Sequence, residues 1–299
     1  MARHTTGGQA SDEWQAASGR SGQAPRQKSG SKLPHSKVNP LQEYAEFAAA
    51  AAREAGEITL RYFQKLPGVE YKADHSPVTV ADRESEMLLR RRIEEKYPAH
   101  GILGEEFGLT RPDAELRWLL DPIDGTQSFV RGVPLYGVML GLVARGPNGS
   151  EHDDPVVGVV HLPALGETAV AWRGGGCWWN GARARVSDVA RLEDATLLGT
   201  DPPALLTGKL AAYQKLRQRV KLERGWGDCY GYVLVATGRA DIMMDSALHE
   251  WDAAPLVPIL EEAGGRFTDW RGKRTISGGD GFATNGKLHA EVVKTIVSG

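Results

Sequence analysis

The chain reads as an α/β (α+β) protein in which mixed sheets are layered with helices. Three observations carry that reading. Long stretches near the start place apolar residues at helical spacing. A central block is rich in β-branched residues and punctuated by Gly and Pro. From about residue 195 onward, short strand patterns alternate with helical ones, so the layering of sheet on helix changes character near residue 190.

LQEYAEFAAAAAREAGEITLRYFQK (41–65) has high helix propensity and an apolar stripe, so it is a long helix. A polar loop containing Lys72 and Asp74 follows. VTVADRESEMLLRRRIEEKY (78–97) is a second helix, entered near Thr79. HGILGEE (100–106) is a short strand ending in two glutamates, and RWLLDP (117–122) a buried strand ending at Asp121. LYGVMLGLVAR, PVVGVVHLP and ETAVAWRGGGCWWNG then read as antiparallel neighbours. In the second half ATLLGT, DIMMD, RFTDW and GFATN are strands. The helices there are LTGKLAAYQKLRQRV, CYGYVLVATGRA, WDAAPLVPILEEAGG and GKLHAEVVKTIV, the third closed by glycine and kinked by Pro258.

The chain has 299 residues, 41% hydrophobic and 25% charged, ordinary values for a soluble protein with a sizeable core. No apolar run approaches the roughly 18–20 residues of a membrane span. Two cysteines, Cys177 and Cys229, cannot make a disulfide framework, lack zinc spacing and fit a reducing cytoplasm. Residues 1–39 carry a net +4, and the whole chain −2, so the body carries −6. That balance argues against a nucleic-acid partner and suits divalent cations. The first 39 residues, rich in Ser, Gly and Gln, read as a disordered extension, with organellar targeting as the lesser alternative. Residues 40–190 form one half and 191–299 the other.

The chemistry concentrates in L119-L-D-P-I-D-G-T126. Asp121 stands where an apolar strand runs out, and Pro122 stiffens the link to Asp124. Two carboxylates and the Ile123 carbonyl make a partial oxygen shell for a hard cation such as Mg²⁺. Gly125 and Thr126 follow where a turn or helix begins, with outward amides that suit an anion. D-P-x-D-G is also a good turn sequence in its own right. Glu105 ends a strand that can lie alongside Asp121. Glu106 reads as solvated or as a support, and Asp252 stands at a helix start, where an N-cap is the competing role.

The segments V78-T-V-A-D82, G104-E-E106, L120-D-P-I-D-G-T126 and W251-D-A-A…E262-A-G-G265 together resemble the inositol monophosphatase family of magnesium-dependent, lithium-sensitive phosphatases. The resemblance covers residues 41–297 and implies a layered α-β-α-β-α sandwich, usually a homodimer. It gives Glu105, Asp121 and the Ile123 carbonyl to a first Mg²⁺, Asp121, Asp124 and Asp252 to a second, and Asp82 to a third, weaker ion. Thr126 orients the attacking water with Glu105 in support, and the Gly125 and Thr126 amides receive the phosphate beside Ile123, Asp124 and Asp252. Lys72 matches a basic residue at the metal entrance. The implied reaction is direct attack of metal-activated water on a phosphate monoester, with no phospho-enzyme.

Q127-S-F-V-R-G-V-P-L-Y-G137 and G225-W-G-D-C-Y-G-Y232 are similar to the histidinol-phosphatase branch of that family, which serves histidine biosynthesis. Its cationic substrate calls for carboxylates and aromatic faces. Asp245 stands seven residues before Asp252, where the family contacts substrate. Asp228 precedes the CYGY helix, with a helix N-cap as its competing role, and Thr200 ends a strand near the same pocket. Tyr230 reads as core, and Arg131 and Arg185 as surface charges or phosphate neighbours. The alternatives are a relative acting on inositol phosphate, fructose bisphosphate or phosphoadenosine phosphate, and a catalytically silent scaffold or sensor. The complete ligand set opposes the silent reading.

Overall fold

A computed structural model describes residues 39–65, 69–71, 77–146, 153–200 and 209–297. The expected extension lies outside the described residues except for Asn39, and Lys72 and Asp74 lie outside them too.

The chain opens with α1 (Pro40–Tyr62), capped by the Asn39 side chain and starting on a proline, where a missing N–H costs nothing. Next come a small hairpin of β1 (Val69–Tyr71) and β2 (Pro77–Thr79), then α2 (Val80–Lys96). Thr79 caps α2, and Asp82 completes a capping box. An eight-stranded sheet follows. It contains β3 (Gly101–Gly104), β4 (Gly108–Thr110), β5 (Leu116–Asp124), β6 (Gly137–Ala144), β7 (Asp154–Leu162), β8 (Glu167–Trp172), β9 (Gly176–Trp179) and β10 (Ala182–Arg183). Their order is β10-β9-β8-β7-β6-β5-β3-β4, all neighbours antiparallel except β3 and β5. Between β5 and β6 lies the short helix α3 (Thr126–Val130).

A five-stranded sheet forms from β11 (Thr196–Gly199), β12 (Leu222–Arg224), β13 (Ile242–Asp245), β14 (Arg266–Thr268) and β15 (Gly281–Thr284), in the order β12-β11-β13-β15-β14. Its helices are α4 (Leu210–Arg217), α5 (Asp228–Ala236), α6 (Glu250–Glu262) and α7 (His289–Val297). Three apolar clusters define the layers. One packs α1 and α2 on the outer face of the large sheet. A second packs α5 and α6 between the sheets, and a third packs α4 and α7 outside the small sheet. The result is the expected α-β-α-β-α sandwich.

Helix α6 is buried from Asp252 through Leu260, as a helix between two sheets must be. It continues through Pro255 and Pro258. Gly141 and Gly158 sit opposite one another in β6 and β7, and a Cβ on Gly158 would lie 2.0 Å from the Pro255 carbonyl oxygen. The paired glycines therefore let the helix backbone rest on the sheet, and the Pro258 ring packs into the same contact. The expected glycine cap is present: Gly264 has φ +94°, and the Gly265 amide donates to the Leu260 carbonyl at 2.8 Å.

Three expectations need correction. β5 does not stop at Asp121 but runs to Asp124, with an irregularity between the two where Pro122 has no N–H for the ladder. β14 ends at Thr268, because the Trp270 indole turns inward to donate to the Asp245 carbonyl at 2.9 Å. The short strands β1, β2, β4 and β12 were not anticipated, three residues being too few to show alternation.

Candidate active site

The end of β5 builds the centre of the site. Asp121 is buried, and its Oδ1 accepts the Ile123 amide at 2.9 Å, which folds the Asp-Pro-Ile segment back on itself. The irregularity then turns Asp124 toward the same side. Helix α6 delivers Asp252 from the other half of the chain. Oxygen atoms of Asp121, Asp124 and Asp252 all lie within 4.8 Å of one another. Among the described residues none of the three pairs with Lys or Arg.

Electrostatics follow from that geometry. Burial, then the Glu105, Asp124 and Asp252 charges, push the Asp121 carboxyl well above the usual range. Burial, then Asp252, raises Asp124, and burial, then Glu105 among its neighbours, raises Asp252. Asp121 and Asp252 are close enough to share a hydrogen bond. Buried carboxylates that repel one another are relieved by a cation, and a donor set of carboxylate oxygens with a nearby carbonyl fits a hard divalent ion.

Glu105 follows β3 immediately, and its amide donates to the Leu120 carbonyl at 3.2 Å, which fixes it beside Asp121. Asp82 sits in the first turn of α2. Its Oδ2 accepts the Thr79 amide at 2.8 Å and the Thr79 hydroxyl at 2.7 Å, while burial pushes its pKa up to about 7. Glu105 and Glu106 add to that rise. The competing N-cap role for Asp252 is corrected: His249 is the N-cap of α6, and Asp252, three residues in, closes a capping box through Oδ2, which accepts the His249 amide at 2.8 Å. A carboxylate has two oxygens and several lone pairs, so this hydrogen bond is compatible with a place in the cluster.

Gly125 adopts φ +82°, a left-handed conformation that glycine takes without strain, and Thr126 begins α3. The first amides of a helix have no intrahelical acceptor, and this left-handed to right-handed step forms a concavity for an anion. The Thr126 hydroxyl donates to the Ile123 carbonyl at 3.0 Å.

A second acidic group borders the first. Asp228 opens α5 at φ +52°, a conformation a non-glycine residue adopts at some cost. The competing N-cap role is corrected: Gly227 occupies that position, and Asp228 is the first helical residue, its amide donating to Thr200 Oγ1 at 2.8 Å. Its carboxylate lies over the Gly125 turn, 2.9 Å from where a Cβ on Gly125 would be and 3.4 Å from Ser128 Oγ. Asp245 is buried at the end of β13. Burial pushes its pKa up to about 6 against the opposing hydrogen bonds from Thr200 and Tyr232. Tyr230 packs partly buried against the core, whereas Arg131 and Arg185 are exposed, with Arg131 folded back on the Gln127 carbonyl.

Sequence reading missed Ser128, Tyr232 and Cys229. The Cys229 amide donates to Asp124 Oδ2 at 2.5 Å, and its buried thiol also bonds that carboxylate. A signal was available for Tyr232, which stands one helical turn beyond Asp228.

Residues 40–298 match the model of the inositol monophosphatase family. The chain belongs to the inositol monophosphatase family. It is 41% identical to a histidinol-phosphatase of Chlorobaculum parvum over 257 residues, covering 85% of this chain and 96% of that protein. It is 38% identical to a histidinol-phosphatase of Mycobacterium tuberculosis, covering 84% and 97%. Among solved structures, an inositol monophosphatase from Zymomonas mobilis superposes with a TM-score of 0.75 at 31% identity, covering 87% of this chain and 99% of that one. Membership makes the chain a phosphoric monoester hydrolase. No helix among the described residues is long and apolar enough to cross a membrane.

Proposed function

We infer that the chain is a Mg²⁺-dependent histidinol-phosphatase, releasing phosphate from L-histidinol phosphate in histidine biosynthesis. The observation that carries the hydrolytic part is the convergence of Asp121, Asp124 and Asp252 beside the Gly125 turn. Glu105, Asp121 and the Ile123 carbonyl would hold one ion, Asp121, Asp124 and Asp252 a second, and Asp82 a weaker third. Bound ions supply neutralisation of phosphate charge and a lowered pKa for coordinated water. The chain's residues supply position. The Gly125 and Thr126 amides receive phosphate oxygens next to Ile123, Asp124 and Asp252. The Thr126 hydroxyl, held on Ile123, orients the attacking water, with Glu105 and Asp82 beside it. Water attacks phosphorus directly and the alcohol leaves.

Substrate choice rests on Asp228, Asp245 and Thr200. A carboxylate beside a phosphate-binding turn penalises a second anionic group on the substrate and favours an ammonium or imidazolium one. Histidinol carries both cationic groups, and two relatives with high coverage bear that activity in their names. In this reading residues 40–190 carry the metals and phosphate, and 191–299 complete the substrate pocket. A homodimer in the cytoplasm is the accompanying expectation.

The test is a panel of phosphate esters assayed with Mg²⁺. L-Histidinol phosphate should be turned over with the highest kcat/KM. Comparable turnover of inositol phosphate, the reading favoured by the likeness to the Zymomonas mobilis enzyme, would overturn the substrate assignment.

A further inference from the structure

Helix α2 carries a second carboxylate one turn after Asp82, on the same face. Glu86 is fully buried, yet it binds nothing in the cluster described above. Its Oε2 accepts the Glu106 amide at 2.7 Å, and its Oε1 accepts the Phe107 amide at 3.2 Å. Arg90, one turn further along, donates through Nε to the same Oε1 at 2.7 Å. The Arg90 Nη2 group then reaches the Gly108 carbonyl, and the guanidinium lies 5.9 Å from the Phe107 ring centre. A carboxylate and a guanidinium on one helix therefore grip the whole turn between β3 and β4.

Glu105 is the residue this turn presents. Its own amide is tied to Leu120 on β5, while the next two amides are tied to Glu86. The backbone on both sides of Glu105 is thus fixed, one side to the strand that carries Asp121 and the other to α2. Gly104 completes the fit, because a Cβ there would lie 2.0 Å from Glu86 Oε1. A buried carboxylate serves only while its donors are all in place, since losing one partner exposes the desolvation cost of the rest.

We propose that Glu86, braced by Arg90, is a positioning residue for Glu105: it sets the height and direction of the Glu105 carboxylate toward Asp121 without touching substrate or cation. The inference rests on the reading of Glu105 as a cation ligand. Groups that orient ligands from behind typically alter metal affinity roughly 10–100-fold when removed. In Glu86→Gln the amide nitrogen must face a donor, so the turn loosens while the side-chain volume is kept.

The test is isothermal titration of the full-length, metal-free protein with Mg²⁺, alongside thermal melts and turnover as a function of Mg²⁺. Glu86→Gln should weaken Mg²⁺ binding about 10-fold or more. Saturating Mg²⁺ should recover most of its kcat, with KM for the ester little changed. A folded Glu86→Gln protein with wild-type Mg²⁺ affinity would overturn the proposal, as would a loss of kcat that Mg²⁺ does not recover. If Glu86→Gln fails to fold, Arg90→Lys decides on the same titration, since it keeps the charge but loses the bridge to Gly108. Glu105→Gln separates the two layers of argument. Unchanged Mg²⁺ affinity in Glu105→Gln refutes the ligand reading itself. Weakened affinity there with none in Glu86→Gln refutes only the positioning role.

Discussion

Two buried acidic groups of this protein meet opposite fates. Glu86 brings its own counter-charge, Arg90, and two backbone amides, so its needs are met from within the chain. Asp121, Asp124 and Asp252 are packed together with no Lys or Arg partner among the described residues, and burial, with neighbouring acidic charges in support, raises the pKa of each. The first arrangement is structural, and folding completes it. The second has no such counter-charge among the described residues, and a bound cation would complete it. The contrast teaches where a ligand must act: where the chain has gathered like charges in a dry place and left them unbalanced.

The largest effect should come from removing a carboxylate at the centre of the unbalanced group. Asp121→Asn is expected to lower kcat/KM by roughly three orders of magnitude or more, the scale of losing several kcal/mol of charge stabilisation. Its metal-free melting temperature should not fall, because repulsion is relieved. Steady-state kinetics and circular-dichroism melts check both halves, and a wild-type rate would dissolve the contrast.

A smaller effect tests the acidic border. Asp228→Asn should lower kcat/KM for L-histidinol phosphate by about 10–100-fold, the worth of one charge-assisted hydrogen bond. It should change turnover of an uncharged ester much less. An equal loss on both esters would make Asp228 structural.

The mildest effect is on pH. Asp82 has its folded pKa raised from 3.8 to about 7, and the three clustered aspartates move in the same direction. A raised carboxyl stabilises the fold while protonated and loses that contribution as pH climbs through the folded value. In EDTA, stability should therefore decline between about pH 4 and pH 7. The melting-temperature gain on adding Mg²⁺ should grow over the same interval, because cation and proton compete. A gain independent of pH would contradict the cluster's role.

Much of this was legible before any coordinates. Asp121, Ile123, Asp124, Gly125 and Thr126 are contiguous, so strand end, proline and glycine announce their geometry locally. Asp252 was legible only through the family resemblance of W251-D-A-A…E262-A-G-G265, since a helix start by itself favours capping, and the layering of sheet and helix was legible through the periodic segments. What stayed hidden depends on long-range packing. Glu86 sits in a charged helical segment, ADRESEMLLRRR, where nothing local sets it apart, and its partners, the Glu106 and Phe107 amides, lie 20 and 21 residues further on. Asp228 had a helix N-cap as its competing role, but the N-cap is Gly227, and the Asp228 amide is held by the Thr200 hydroxyl, 28 residues earlier. The prolines of α6 made sense only once Gly141 and Gly158 proved to lie beneath them.

The most direct measurement is anomalous diffraction from crystals grown with Mn²⁺, a scattering substitute for Mg²⁺. The account predicts at least one strong peak within direct coordination distance of oxygens from Asp121, Asp124 and Asp252 together. A clear map with the protein saturated in Mn²⁺ and no peak among those three carboxylates would contradict it.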